Sequence, residues 1–125
     1  MKICVTAQDA GLDSPVDPRF GRCRYFIIID FETMEFESVE NPNMESMGGA
    51  GIQSGQFISE KQIKVVLTGN VGPNAFQTLQ AAGVEVFTGA AGTVKETLEK
   101  YRQGGFKAVS GPSVQSHSGM PDKNN

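Results

Sequence analysis

Five consecutive apolar residues, Tyr25-Phe26-Ile27-Ile28-Ile29, constrain what this chain can fold into more than any other segment. They show no period-two alternation, and a short, partly β-branched run of this kind is expected of a strand buried on both faces. A sheet holding such a strand is covered on both sides, which points to flanking helices. Just downstream, Met34-Glu35-Phe36-Glu37 alternates as a half-exposed strand does. The short polar connection from Asp30 to Thr33 makes the two a hairpin.

The remaining pattern supplies the partners. Ile3 to Thr6 reads as a strand, and Ala7 to Cys23, with two prolines, three aspartates and no helical periodicity, as a long loop. Ile52 to Gln62 forms a weakly amphipathic helix, with Gly51 and Gly55 suited to close packing. Strand Val65-Val66-Leu67, a glycine-rich turn, a helix presenting Ala75, Phe76, Leu79 and Ala82, and strand Val84 to Phe87 make a βαβ unit with parallel strands. Thr93 and Glu96 have the spacing of a capping box, Val94, Leu98 and Tyr101 form the apolar stripe that follows, and Gly104 is the stop. The order β-β-β-α-β-α-β-α predicts an α/β fold: a mixed five-stranded sheet with one antiparallel hairpin, in a ribonuclease H-like pattern. A flavodoxin-like topology would need a helix between the first two strands, where none is patterned. Residues 1–109 are expected to form the single domain. Residues 110–125, rich in serine, glycine, proline and asparagine, are expected to be a disordered tail.

At 125 residues the chain has room for one core and no separate catalytic module. Its formal charge of −3 argues against a general binder of nucleic acid or acidic membranes, which neutralises phosphates with a basic surface. Only Cys4 and Cys23 are present, so no disulfide framework is expected. Strand-like sequence from Met1 onward leaves no signal peptide to expect, and no apolar run approaches the ~20 residues of a membrane span. A cytoplasmic location follows as the expectation.

Unusual residues concentrate in three loops: Asp17 to Arg24, Gly48 to Gly51, and Thr68 to Ala75. Ligands in open α/β sheets sit beyond the carboxyl ends of the strands, where the first and third loops should converge. The second and third also open helices, whose first N–H groups lack internal partners and present partial positive charge to an anion. Pro73 fits a first helical turn. Arg19, Arg22 and Arg24 add donors suited to anions with several acceptors, though pairing with Asp13 and Asp17 would be a purely structural use of them. Cys23 lies between two arginines whose charge would favour its thiolate, making it the better soft-metal ligand of the two cysteines, or a small apolar residue starting a strand. Met44 and Met47 could offer soft thioether contacts or adaptable packing, and packing is the favoured reading.

Other chemistries lack parts. The P-loop and dinucleotide fingerprints are absent, no Cys or His pair has zinc spacing, and the sole histidine, His117, falls in the expected tail. Carboxylates are too sparse for a metal-dependent nuclease. No catalytic residues are assigned, and the chain reads as a binding protein rather than an enzyme.

Taken in order, Arg19-Phe20-Gly21-Arg22, Glu40-Asn41-Pro42, Gly49-Ala50-Gly51, and Gly69 with Gly72-Pro73-Asn74-Ala75 resemble the dinitrogenase iron–molybdenum cofactor biosynthesis family, the NifX/NifB-type domain. The chain looks like its short stand-alone members, which occur in anaerobes, and the resemblance covers about Met1 to Tyr101. It implies a ribonuclease H-like fold and non-catalytic carriage of a metal–sulfur cluster of iron–molybdenum or molybdenum–copper sulfide type. The pocket it implies is Arg19, Phe20, Gly21, Arg22, Gly49, Ala50, Gly51, Gly72, Pro73 and Asn74, with Cys23 as an optional metal ligand. The implied partners are proteins that donate or accept the cluster, such as an iron–sulfur or ATPase assembly protein. Two other readings of the same loops are a regulatory site for a nucleotide or phosphorylated metabolite and a protein-interaction domain.

Overall fold

The computed structural model describes residues 1–43, 49–108 and 111–112. Strands β1 (Lys2–Ala7), β2 (Tyr25–Asp30) and β3 (Phe36–Glu40) are followed by helix α1 (Ala50–Glu60), β4 (Ile63–Leu67), α2 (Pro73–Ala81), β5 (Glu85–Phe87) and α3 (Val94–Arg102). The strands form one sheet in the order β3-β2-β1-β4-β5. β2 runs antiparallel to both neighbours, whereas β1, β4 and β5 are mutually parallel. Pairings of Cys4 with Ile28 and Val66 put β1 at the centre of the sheet.

The continuous apolar run of β2 is explained by two cores. Phe26 and Ile28 join Cys4, Val66 and Val86 on one face, beneath Ile58 of α1 and Phe76 and Leu79 of α2. Ile27 and Ile29 join Ile3, Val5, Val65 and Leu67 on the other, beneath Val94 and Leu98 of α3. Close approach of α1 to α2 depends on Gly55: a Cβ there would lie 2.8 Å from Thr78 Cγ2. The capping box of α3 forms in both directions, Thr93 Oγ1 accepting from the Glu96 N–H (3.1 Å) and Glu96 Oε1 from the Thr93 N–H (2.9 Å).

Strand ends shift by one or two residues from the sequence expectation in β1, β4 and β5, and three further differences have a visible cause. β3 begins at Phe36 rather than Met34, because Asp30 Oδ1 collects the N–H groups of Glu32 and Thr33 and Met34 takes a left-handed φ of 64°. α1 begins at Ala50 rather than Ile52, after Gly49 at φ 72°. Ala82, expected on the apolar face of α2, is its exposed C-cap. The expected tail, with His117, and the residues Met44, Met47 and Gly48 lie outside the described residues, apart from Gly111 and Pro112.

Candidate functional site

The long segment after β1 is stitched back onto the sheet. The Asp17 N–H donates to Thr6 O (2.9 Å), and the Thr6 hydroxyl donates to Asp17 O (2.7 Å). The buried contact between the Thr6 and Thr68 hydroxyls, at 2.8 Å, therefore uses Thr68 as donor, and it ties the ends of β1 and β4 together. Beyond it, Arg19 and Asn70 pair as a short parallel bridge, with the Asn70 N–H donating to Pro18 O (2.7 Å) and the Phe20 N–H to Asn70 O (3.3 Å). Gly69 makes this approach feasible, since a Cβ there would sit 2.6 Å from Pro18 Cα.

The same segment reaches the start of α1. A Cβ on Gly21 would lie 3.0 Å from both N and Cα of Gly51, so the two backbones are in direct contact. A Cβ on Gly51 would in turn meet the Ala75 Cβ at 3.1 Å, which brings the first turn of α2 alongside the first turn of α1. All three loops singled out by sequence thus meet at one end of the sheet.

Two residues outside the expected set hold this junction. Asn41 is buried and its side-chain N–H groups donate to Cys23 O (2.9 Å) and Gly21 O (3.2 Å), with a longer contact to Cys23 Sγ (3.9 Å). Ser54 of α1, also buried, donates to Gly21 O (3.1 Å). Asn41 stands in the Glu40-Asn41-Pro42 motif, and a polar residue closing a strand ahead of a proline was the available signal. Nothing near Ser54 in sequence marks it.

Helices α1 and α2 have no side-chain cap and no acidic residue in the first turn, whereas α3 has both. Within their own first turns, the N-terminal dipoles of the first two therefore meet no acidic side chain. Among the described residues, none other than its chain neighbours comes within 4 Å of the point where a Gly49 side chain would project. Two residues before Gly21, Arg19 holds its Nε 3.2 Å from Asp17 Oδ1 and its Nη2 3.3 Å from Oδ2. Asp17 is buried and accepts the Arg19 N–H as well (3.0 Å), while 65% of the Arg19 side chain remains exposed. Hydrogen bonding to Asp17 raises the Arg19 pKa, so the guanidinium is a fixed cation with one side turned to solvent. The pairing with Asp17 and the exposed face coexist.

Of the residues expected at the site, Arg19, Arg22, Gly49 and Asn74 are exposed, and Gly21, Gly51, Gly72 and Pro73 are half-buried. Ala50, Phe20 and Cys23 are buried. Phe20 packs against Phe26 at a ring separation of 5.9 Å and anchors the loop from below. The expectation of a stabilised Cys23 thiolate is reversed: burial is the main cause pushing its pKa far up, and flanking arginines do not offset it. Cys4 is likewise buried, with its thiol pushed up by desolvation. Among the described residues no three His, Cys, Asp or Glu side chains group as a metal site. The donors present suit a preformed anion gripped by N–H groups and a guanidinium better than a bare metal ion.

The family model described as "Dinitrogenase iron-molybdenum cofactor" matches residues 1–104. This chain belongs to that family. The membership links the chain to the binding or biosynthesis of the iron–molybdenum cofactor. Among solved structures the chain is similar to the apo form of the orange protein of Desulfovibrio gigas, at 41% identity and a TM-score of 0.88, over 90% of this chain and 96% of that one. It is also similar to a candidate NifB protein of Thermotoga, at 34% identity and a TM-score of 0.80, over 90% and 97% of the two chains. An uncharacterized protein of Methanocaldococcus jannaschii is 27% identical over 92 residues, covering 71% of this chain and 78% of its own. No helix among the described residues is long and apolar enough to cross a membrane.

Proposed function

We propose that this protein is a non-catalytic carrier that holds a preformed metal–sulfur cluster, of iron–molybdenum or molybdenum–copper sulfide type, at the junction of the Arg19–Arg22 segment with the starts of α1 and α2. The observation that carries this reading is the pair of helix N-termini without side-chain caps, brought side by side through Gly21, Gly51 and Ala75, with the fixed guanidinium of Arg19 on the same segment as Gly21. A polyanionic cluster satisfies both dipoles at once, and its many sulfide acceptors suit diffuse N–H donors. Such a grip needs no covalent ligand, which suits release to an acceptor protein, and donor and acceptor proteins are the partners we assign. Phe20, Cys23, Asn41 and Ser54 form the floor that holds the donors in place, and Cys23 is not given a ligating role. Two free, buried thiols accord with a reducing cytoplasm. The sheet order, with only β2 reversed, supports assignment to the ribonuclease H-like architecture.

The test is anaerobic reconstitution with iron, molybdate, copper and sulfide, then desalting, visible absorption and metal analysis of wild type and Arg19→Ala/Arg22→Ala. A stoichiometric chromophore on wild type that is lost or strongly reduced in the variant is expected. A wild-type protein that stays colourless and metal-free contradicts the carrier reading. Stabilisation by a nucleotide or a phosphorylated metabolite in a thermal-shift panel would then favour the regulatory alternative, because the same uncapped termini suit phosphate.

A further inference from the structure

The strongest feature outside this junction is the free edge of β3. From Asp30 to Glu40 the chain carries Asp30, Glu32, Glu35, Glu37 and Glu40 and no basic residue, so this stretch holds −5 while the rest of the chain sums to +2. Among the described residues β3 ends the sheet, with β2 as its single strand neighbour. Bonds from the Asp30 N–H to Glu35 O and from the Asn41 N–H to Arg24 O, both 2.9 Å, bracket the β2–β3 ladder and set its phase. In an antiparallel pair alternate residues bond to the partner, so Glu37 and Val39 turn their backbone groups to β2. Phe36, Ser38 and Glu40 turn theirs to the open edge.

Charge alone is a common protection for a sheet edge. This edge, however, also exposes an aromatic side chain: Phe36 is 45% accessible, one of the few large apolar residues left outside. Beside it, Ser38 donates its hydroxyl to Ala10 O, which joins the edge to a shallow groove of about 490 Å³ lined by Asp9, Asp13, Ser14 and Pro15 among others. The groove adds two more carboxylates to the same side. A second copy of the chain is a poor occupant, because edge-to-edge pairing would bring two such acidic strands together.

We infer that the β3 edge is a docking strand for a basic, extended segment of a partner protein, which adds to the sheet as a sixth strand. Its backbone pairs with Phe36, Ser38 and Glu40. Its lysines or arginines lie against Glu35 and Glu37 on one face and Glu40 on the other, and an apolar residue covers Phe36. Opposite charge also speeds the encounter. The inference stands independently of what the loop junction binds.

The test uses the full chain, ¹⁵N-labelled, titrated at low salt with a capped peptide of about ten residues alternating lysine and valine, a length that matches an ordinary strand. Amide shifts centred on Phe36 to Glu40 are expected. Methylating every second backbone amide of the peptide, which keeps its charge and removes the strand-pairing donors, should weaken binding by about tenfold or more. Glu35→Lys/Glu37→Lys in the protein should do the same, and its own spectrum reports whether it folds. Equal binding of the methylated peptide would reduce the effect to charge attraction and overturn the proposal. Shifts elsewhere, no binding, or shifts at β3 that follow protein concentration without peptide would overturn it as well.

Discussion

Asn41 supports the site from beneath its surface. Its side chain closes the loop from Gly21 to Cys23 by hydrogen bonds to two carbonyls, one of which Ser54 also reaches. Asn41→Ala leaves those groups short of donors in a buried setting and is expected to cost roughly 1–3 kcal/mol, read from the urea midpoint at constant m-value. The two cysteines make a second prediction at this scale. Burial raises both thiol pKa values in the folded state, so the unfolded chain loses these protons first as pH rises. Their contribution to stability is complete below the ordinary thiol range near ~8.5 and falls above it, by up to about 1.4 kcal/mol per pH unit for each thiol. Urea midpoints measured from pH 7 to pH 10 should fall more steeply for wild type than for Cys4→Ala/Cys23→Ala, and parallel curves would contradict the assignment. Local sequence misled here for a definite reason. The arginines around Cys23 are visible in the sequence, but the core cluster that holds its sulfur also draws on β1, α1, β4 and α2, distant in the chain. The Arg19–Asp17 pair, two residues apart, was legible.

Helices α1 and α2 act as one unit because glycine removes the side chain between them. Gly55→Val would push further into Thr78, where even a Cβ meets the methyl at 2.8 Å. It is expected to destabilise by roughly 1–3 kcal/mol and to weaken cluster retention by moving the two N-termini apart. Reconstitution of the folded variant checks the second effect separately from the first. Strand β2, the βαβ unit and α3 were legible in sequence because each carries its own period or cap: an unbroken apolar run, alternating elements, and the Thr93–Glu96 box. The start of α1 was not, since Gly49 caps it through backbone conformation alone and leaves no polar signature. Met34 was misplaced into β3 because a left-handed methionine is rare and the aspartate that enforces the turn lies four residues earlier.

Over the whole molecule, the fold separates two kinds of surface. Strand ends and helix starts collect cationic and dipolar donors at one junction, and the acidic residues of Asp30 to Glu40 gather along the β2–β3 connection and the edge strand. Convergence of the first and third loops was foreseeable from the parallel strands they follow, whereas the close fit of Gly21 on Gly51 and of Gly51 on Ala75 emerges only when the elements pack. The central claim is that backbone N–H groups of this junction grip an anionic cluster. It is tested most directly by amide chemical-shift mapping of ¹⁵N-labelled protein on addition of a diamagnetic molybdenum–copper sulfide cluster under anaerobic conditions. The account predicts that the largest shifts fall on Arg19 to Arg22, Ala50 to Ile52 and Asn74 to Phe76, with α3 unchanged. Shifts centred on α3 or the β3 edge, or a spectrum that does not respond, would contradict it.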